Sequence, residues 1–118
     1  MQATTKIIQR TATAASGAPI TVLSFCGDIS SASKDAVLGA YRGLSDASKV
    51  LLDFSSVDYI NSSGIAIIIQ MLLEADRSGS HFIGIFGLSP HFQKVFTMVG
   101  ITRYAVLHDD ESASLAAL

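Results

Sequence analysis

The sequence predicts a single α/β domain spanning residues 1–118, built on a mixed, mainly parallel β-sheet with helices packed on it. Three observations predict it. Short β-branched and apolar runs alternate with segments whose apolar residues recur at helical spacing. The run Val50-Leu51-Leu52-Asp53-Phe54 is almost continuously apolar, the mark of a strand covered on both faces. The 118 residues, 49 % hydrophobic and only 15 % charged, suit one well-buried core and leave little room for a second domain or a disordered tail.

Each element has its own local signal. Lys6 to Thr13 is β-branched, and Ala14-Ala15-Ser16-Gly17-Ala18-Pro19 supplies the turn that folds it back as a hairpin. Ile20 to Phe25 is apolar on both faces and is expected to end at Gly27-Asp28 as an interior strand. Ser30-Ser31-Ala32-Ser33 offers N-caps for a helix carrying Val37, Leu38 and Tyr41 and ending near Gly43. Val50 to Phe54 is the expected central strand. A long helix follows from about Ser62 to Arg77, stopped by Ser78-Gly79. Ser63, Gln70, Glu74 and Arg77 fall roughly on one stripe, leaving Ile65, Ile68, Ile69 and Leu72 for the core.

His81 to Phe86 is a further short strand. Ser89-Pro90 starts a helix with an N-cap hydroxyl and a proline at its first position, and Phe92, Val95, Phe96 and Val99 form its apolar face before Gly100 at the C′ position. Tyr104 to Leu107 is the last strand, and Asp109 to Leu118 an acidic-started helix. The expected order is β-β-α-β-α-β-α-β-α.

Composition excludes several functions. Eight basic and ten acidic residues give a formal charge of −2 with no Lys/Arg cluster, so nothing marks a nucleic-acid footprint or attraction to an anionic membrane. The longest unbroken apolar run, Ile65 to Ile69, falls far short of the roughly 20 residues that span a bilayer. Met1-Gln2-Ala3-Thr4-Thr5-Lys6 shows no secretory h-region, so a cytoplasmic address is expected. Cys26 cannot form an internal disulfide and reads as a small hydrophobe. His81, His91 and His108 stand apart without ligand spacing, and neither phosphate-cradling glycine motif occurs, so no metal or nucleotide cofactor is expected.

The joint Asn61-Ser62-Ser63-Gly64 places three polar side chains between a strand and a long apolar helix. In an open α/β sheet such joints lie where ligands gather, outside the carboxyl ends of strands. Structurally, Asn61 caps the helix, Ser62 and Ser63 occupy its first turn, and Gly64 allows close packing. Functionally, free N–H groups and the positive end of the helix dipole tolerate a phosphate, so an exposed Ser62 could be phosphorylated without unfolding and would then carry a new charge of about −1.5 to −2. A hydrolase reading requires a Gly-x-Ser-x-Gly elbow, but its first glycine is Ile60 here. A Ser62, Asp76, His108 triad would also put Asp76 more than three helical turns from Ser62.

The run VLLDFSSVDYINSSGIAIIIQ, Val50 to Gln70, resembles the signature of STAS domains, the family of bacterial anti-sigma-factor antagonists and of soluble domains of sulphate transporters. FCGDIS at Phe25 to Ser30 and GLSPHFQKVFTMVGI at Gly87 to Ile101 are similar to two further family segments, so the resemblance covers nearly the whole chain. It implies the STAS fold and a non-enzymatic, phosphorylation-controlled interaction module. Such an antagonist binds an anti-sigma factor that is also a serine kinase, thereby releasing a sigma factor for transcription; the kinase phosphorylates the first serine of an Asp-Ser-Ser-Gly turn, and a PP2C-type phosphatase restores it. Carried onto this chain, the phosphoacceptor is Ser62, with Asp28, Asn61, Ser63 and Gly64 completing the partner-binding turn. Asn61 stands where the family usually has an acidic residue, and Asp28 would supply part of the missing acidity. The alternative that the resemblance leaves open is a constitutive scaffold subunit of a larger signalling or membrane-transport assembly.

Overall fold

In the computed structural model, residues 5–44, 49–78 and 82–118 are described. Strands β1 (Lys6–Thr13), β2 (Pro19–Ile29), β3 (Lys49–Ile60), β4 (Phe82–Phe86) and β5 (Val106–His108) form one five-stranded sheet in the order β1-β2-β3-β4-β5. The β1–β2 hairpin is antiparallel and the other pairings are parallel. Helices α1 (Lys34–Arg42), α2 (Ser62–Ser78), α3 (Pro90–Met98) and α4 (Glu111–Ala117) complete the expected alternation. Among the described residues no helix is long and apolar enough to cross a membrane.

Each parallel pair joins neighbouring strands, so right-handed crossovers place α1, α2 and α3 on the same face of the sheet. Leu23, Phe25, Val50, Leu52, Phe54, Ile83 and Ile85 point to that face and pack with Val37, Leu38 and Tyr41 of α1, Ile68, Met71 and Leu72 of α2, and Phe96 of α3. The ring of Phe54 meets Phe25 and Phe96 edge-on, with centroids 5.0 and 5.8 Å away. Alternate strand residues Ile20, Val22, Leu51 and Phe86 point the other way and form a smaller core with Ala14, with Leu115 of α4 and with Leu118, which caps that helix. Val50 to Phe54 is thus covered on both faces, as its unbroken apolar pattern requires.

Boundaries differ from the sequence expectation where polar residues continue a strand. β2 runs through Gly27-Asp28 to Ile29, and β3 runs six residues beyond Phe54 to Ile60. The extensions pair with each other, Asp28 with Tyr59 and Ile29 with Ile60, across register shifts between Ser24 and Cys26 and between Gly27 and Asp28. A ribbon of two strands exposed on one side has no continuous apolar pattern, so periodicity could not find it. At the C-terminal end, Ile101–Arg103 form a single 3₁₀ turn that delays β5 to Val106, and Asp110 rather than Asp109 caps α4. Ser31–Ser33 likewise form a 3₁₀ turn, capped by Ser30, before α1. The expected face of α3 is only partly inward: Phe96 is buried, Phe92 and Val95 are half-buried, and Val99 is exposed. Gly79 and His81, expected as a helix stop and a strand start, lie outside the described residues, as do Met1 to Thr4.

Candidate functional site

The carboxyl ends of β2 and β3 meet at the start of α2. Ile29 is the last residue of β2, and its carbonyl oxygen accepts the Asn61 N–H at 3.2 Å. Asn61 then turns the chain. Its side-chain Oδ1 accepts the Gly64 N–H at 2.8 Å and its carbonyl accepts the Ile65 N–H at 3.0 Å, so one residue closes the strand and caps the helix.

Gly64 is required by contact. A Cβ there would stand 2.3 Å from the Ile29 oxygen, 2.8 Å from the Ile29 carbonyl carbon and 2.9 Å from Ile60 Cγ2. The first turn of α2 is therefore pressed directly onto the β2 backbone, and glycine is the one residue whose surface permits it. Behind this wedge the helix is anchored by the buried residues Ile67, Ile68, Met71 and Leu72. Ser62 and Ser63 face the other way, and both are exposed at the first two helical positions. The turn is thus rigid below and open above.

Asp28 lies one residue before the Ile29–Ile60 pair, half-buried, on the strand that anchors Asn61. Its carbonyl oxygen accepts the Thr5 Oγ1 hydroxyl at 2.6 Å, and Thr5 in turn meets the buried Ser33. These contacts hold the β2 end in place beside the turn. All five sequence-assigned residues, Asp28, Asn61, Ser62, Ser63 and Gly64, are therefore brought to one end of the sheet, in three different physical situations: a strand end, a cap with its wedge, and two free hydroxyl positions.

Two neighbours escaped the sequence reading. The Ile29 carbonyl anchors the turn through backbone alone, which no side-chain pattern reveals. Tyr59, 57 % exposed, projects from the β3 extension and meets the ring of Phe92 edge-on at 6.0 Å, and the His91 ring also meets Phe92, at 5.0 Å. Its signal was an aromatic residue at the end of the largely polar stretch Ser55 to Tyr59, readable only once that stretch is known to be strand.

The drawn triad is not assembled. Asp76 is exposed toward the far end of α2, about 21 Å along the helix from Ser62 at 1.5 Å per residue. His108 ends β5 with its Nε2 buried and, among the described residues, without a hydrogen-bond partner, its ring lying over Gly84 of β4. Among the described residues no group of three His, Cys, Asp or Glu side chains could hold a metal ion. What the joint can do chemically is hold a serine hydroxyl at the surface on a braced support, at the positive end of the α2 dipole.

The family model described as "Mlab, STAS domain" matches residues 12–108. Among solved structures, an anti-sigma factor antagonist from Mycobacterium paratuberculosis superposes with a TM-score of 0.78 at 16 % identity, over 99 % of this chain and 97 % of that one. The Bacillus cell-fate determinant SpoIIAA in its phosphorylated form gives 0.63 at 15 % identity over 92 % and 96 %. A sulfate transporter family protein from Wolinella succinogenes gives 0.65 at 13 % identity over 80 % and 82 %. Comparison with curated proteins gives no match.

Proposed function

The chain belongs to the STAS domain family, and on that premise we propose that it is a cytoplasmic, non-enzymatic anti-sigma-factor antagonist whose binding surface is the Asn61-Ser62-Ser63-Gly64 turn with Asp28. Its partner is an anti-sigma factor with serine-kinase activity, and its binding releases a sigma factor. Phosphorylation of Ser62 ends the complex, and a PP2C-type phosphatase renews it. The observation that carries this reading is the exposure of Ser62 on a turn braced by Asn61 and Gly64. A phosphate added there changes the surface charge by about −1.5 to −2 and is tolerated at the helix start, so the domain stays folded while a docked surface is repelled. The likeness to antagonist structures supports the fold of such a module; the role rests on the turn.

The test begins with peptide-resolved mass spectrometry of residues 50 to 77 after incubation with ATP and native-host lysate. One phosphate on Ser62, absent from Ser62→Ala, is the expected result. Calorimetry with the purified partner should then show Ser62→Asp binding at least tenfold more weakly, about 1.4 kcal/mol, and Ser62→Ala binding normally. Equal affinity of wild type and Ser62→Asp would remove the switch.

A second reading is a constitutive scaffold subunit of a signalling or membrane-transport assembly. Asn61 favours it, because the usual acidic neighbour of the acceptor serine is missing, and so does the likeness to a sulfate transporter family protein. It expects a stable high-mass complex that persists irrespective of ATP, with residues 61–64 serving only as a helix start.

A further inference from the structure

Among the described residues, α4 is the helix that covers the back of the sheet, and it is held there by few contacts. It has seven residues, against the roughly 12–15 that an isolated helix needs for marginal stability, so its helicity depends on docking. Leu115 and Leu118, both only half-buried, pack against Ala14, Ile20, Val22, Leu51 and Phe86. The remaining ties are polar. The Arg10 guanidinium donates two hydrogen bonds to the Glu111 carboxylate and also lies 3.7 Å from Asp53. The Ala15 N–H donates to the Leu115 carbonyl at 2.9 Å, and Lys49 Nζ to the Leu118 carbonyl at 3.4 Å. Asp53 is itself fixed by Ser24 Oγ at 2.9 Å and by the Ser55 N–H at 2.9 Å, so the Arg10 end of the clamp is rigid and the Glu111 end belongs to the short helix.

This cover is independent of the other face. The smaller core beneath α4 shares no residue with the larger core that anchors α1, α2 and the Asn61 turn. Arg10 and Glu111 are each more than a third exposed on their side chains, so salt reaches the pair.

We propose that α4 is a strap that opens as one unit while the rest of the domain stays folded, with the Arg10–Glu111 pair as its catch. Opening frees the Ala15–Leu115 bond and uncovers Ile20, Val22, Leu51 and Phe86, an apolar seat on the sheet face opposite α1–α3. This goes beyond the antagonist reading and does not depend on it, since the Asn61–Ile29 anchor lies outside the opening unit.

The test is native-state amide hydrogen exchange by NMR on the full chain, in a series of low urea concentrations. The Ala15 N–H, bonded to Leu115, and the Ser114 N–H, bonded to Asp110 at 3.1 Å, report the strap, while the Asn61 N–H reports the main core. The strap amides are expected to share one opening rate, faster than the core, and one urea dependence that is well below the core's but above zero, because opening exposes the apolar seat. Arg10→Met is expected to speed both by about fivefold to tenfold and leave Asn61 unchanged, because it removes a charge-assisted, partly exposed pair. Raising salt from low to molar on the wild type is expected to act in the same direction, which keeps the proposal testable if the variant fails to fold. Exchange of Ala15 and Ser114 at the core rate with the core's urea dependence would overturn it. Unequal, graded rates for the two amides would also overturn it, as ordinary fraying of a helix end.

Discussion

Replacing Gly64 by alanine inverts the usual effect of that substitution. In an unencumbered helix, Gly→Ala stabilises by up to about 1 kcal/mol through propensity and chain entropy. At Gly64 the added methyl would lie 2.3 Å from the Ile29 oxygen, more than an ångström inside ordinary contact, and 2.9 Å from Ile60 Cγ2. Backing α2 away to relieve this stretches the Asn61–Ile29 hydrogen bond, worth about 0.5–1.5 kcal/mol, and repacks the joint at about 1–3 kcal/mol. Setting a propensity gain of about 1 kcal/mol against that sum leaves a net loss of about 0.5–3.5 kcal/mol, a fall in Tm of about 2–14 °C for a chain of this size. Gly39→Ala is the control, because the new Cβ in α1 meets nothing within 4 Å. It should raise stability by about 0.5–1 kcal/mol. Both are read by urea and thermal unfolding followed by circular dichroism. A Gly64→Ala protein as stable as wild type would refute the claim that α2 is wedged against β2.

Asn61→Ala should cost about 1 kcal/mol by orphaning the Gly64 N–H, whereas Asn61→Asp keeps the cap and places a negative charge at the positive end of α2, gaining about 0.3–1 kcal/mol at neutral pH; equal urea midpoints for the two would contradict the capping role. Phe54→Ala removes the ring that touches both Phe25 and Phe96 and should cost about 3–5 kcal/mol, measured as a shifted denaturation midpoint with an unchanged slope. The Glu74 carboxyl is held below its ordinary value by its hydrogen bonds from Arg42, with a smaller pull from the charges of Arg42 and Arg77. A depressed folded value means that the pair's contribution is present above the unfolded value and is lost as pH falls through the folded one. An NMR titration should therefore find Glu74 titrating low in wild type and moving up in Arg42→Gln; no movement would exclude the pair as the cause.

Element types and their order were legible in the residues because they depend on local devices. Ser89-Pro90 caps α3 through the Phe92 N–H, as its sequence implies, and Gly100 follows α3 at a φ of +86°. Val50 to Phe54 announced a central strand by being apolar on both sides. The turn at Asn61-Ser62-Ser63-Gly64 was equally legible, since a cap, two small polar residues and a glycine are short-range signals. Legibility failed where the cause lay in another part of the chain. The β3 extension to Ile60 exists because β2 runs alongside it, the exposure of Val99 depends on how α3 sits on the sheet, and the Ile29 carbonyl that anchors Asn61 carries no side-chain signature. The sequence by itself determined the fold class, the order of elements and a serine-bearing helix start, because hydrophobic period, caps and turn residues act within a few positions. Only the tertiary structure decided that Gly64 is a wedge, that Ser62 faces outward, that Tyr59 stands beside the turn and that Arg10 clasps α4, because each depends on surfaces brought together by sheet register and packing.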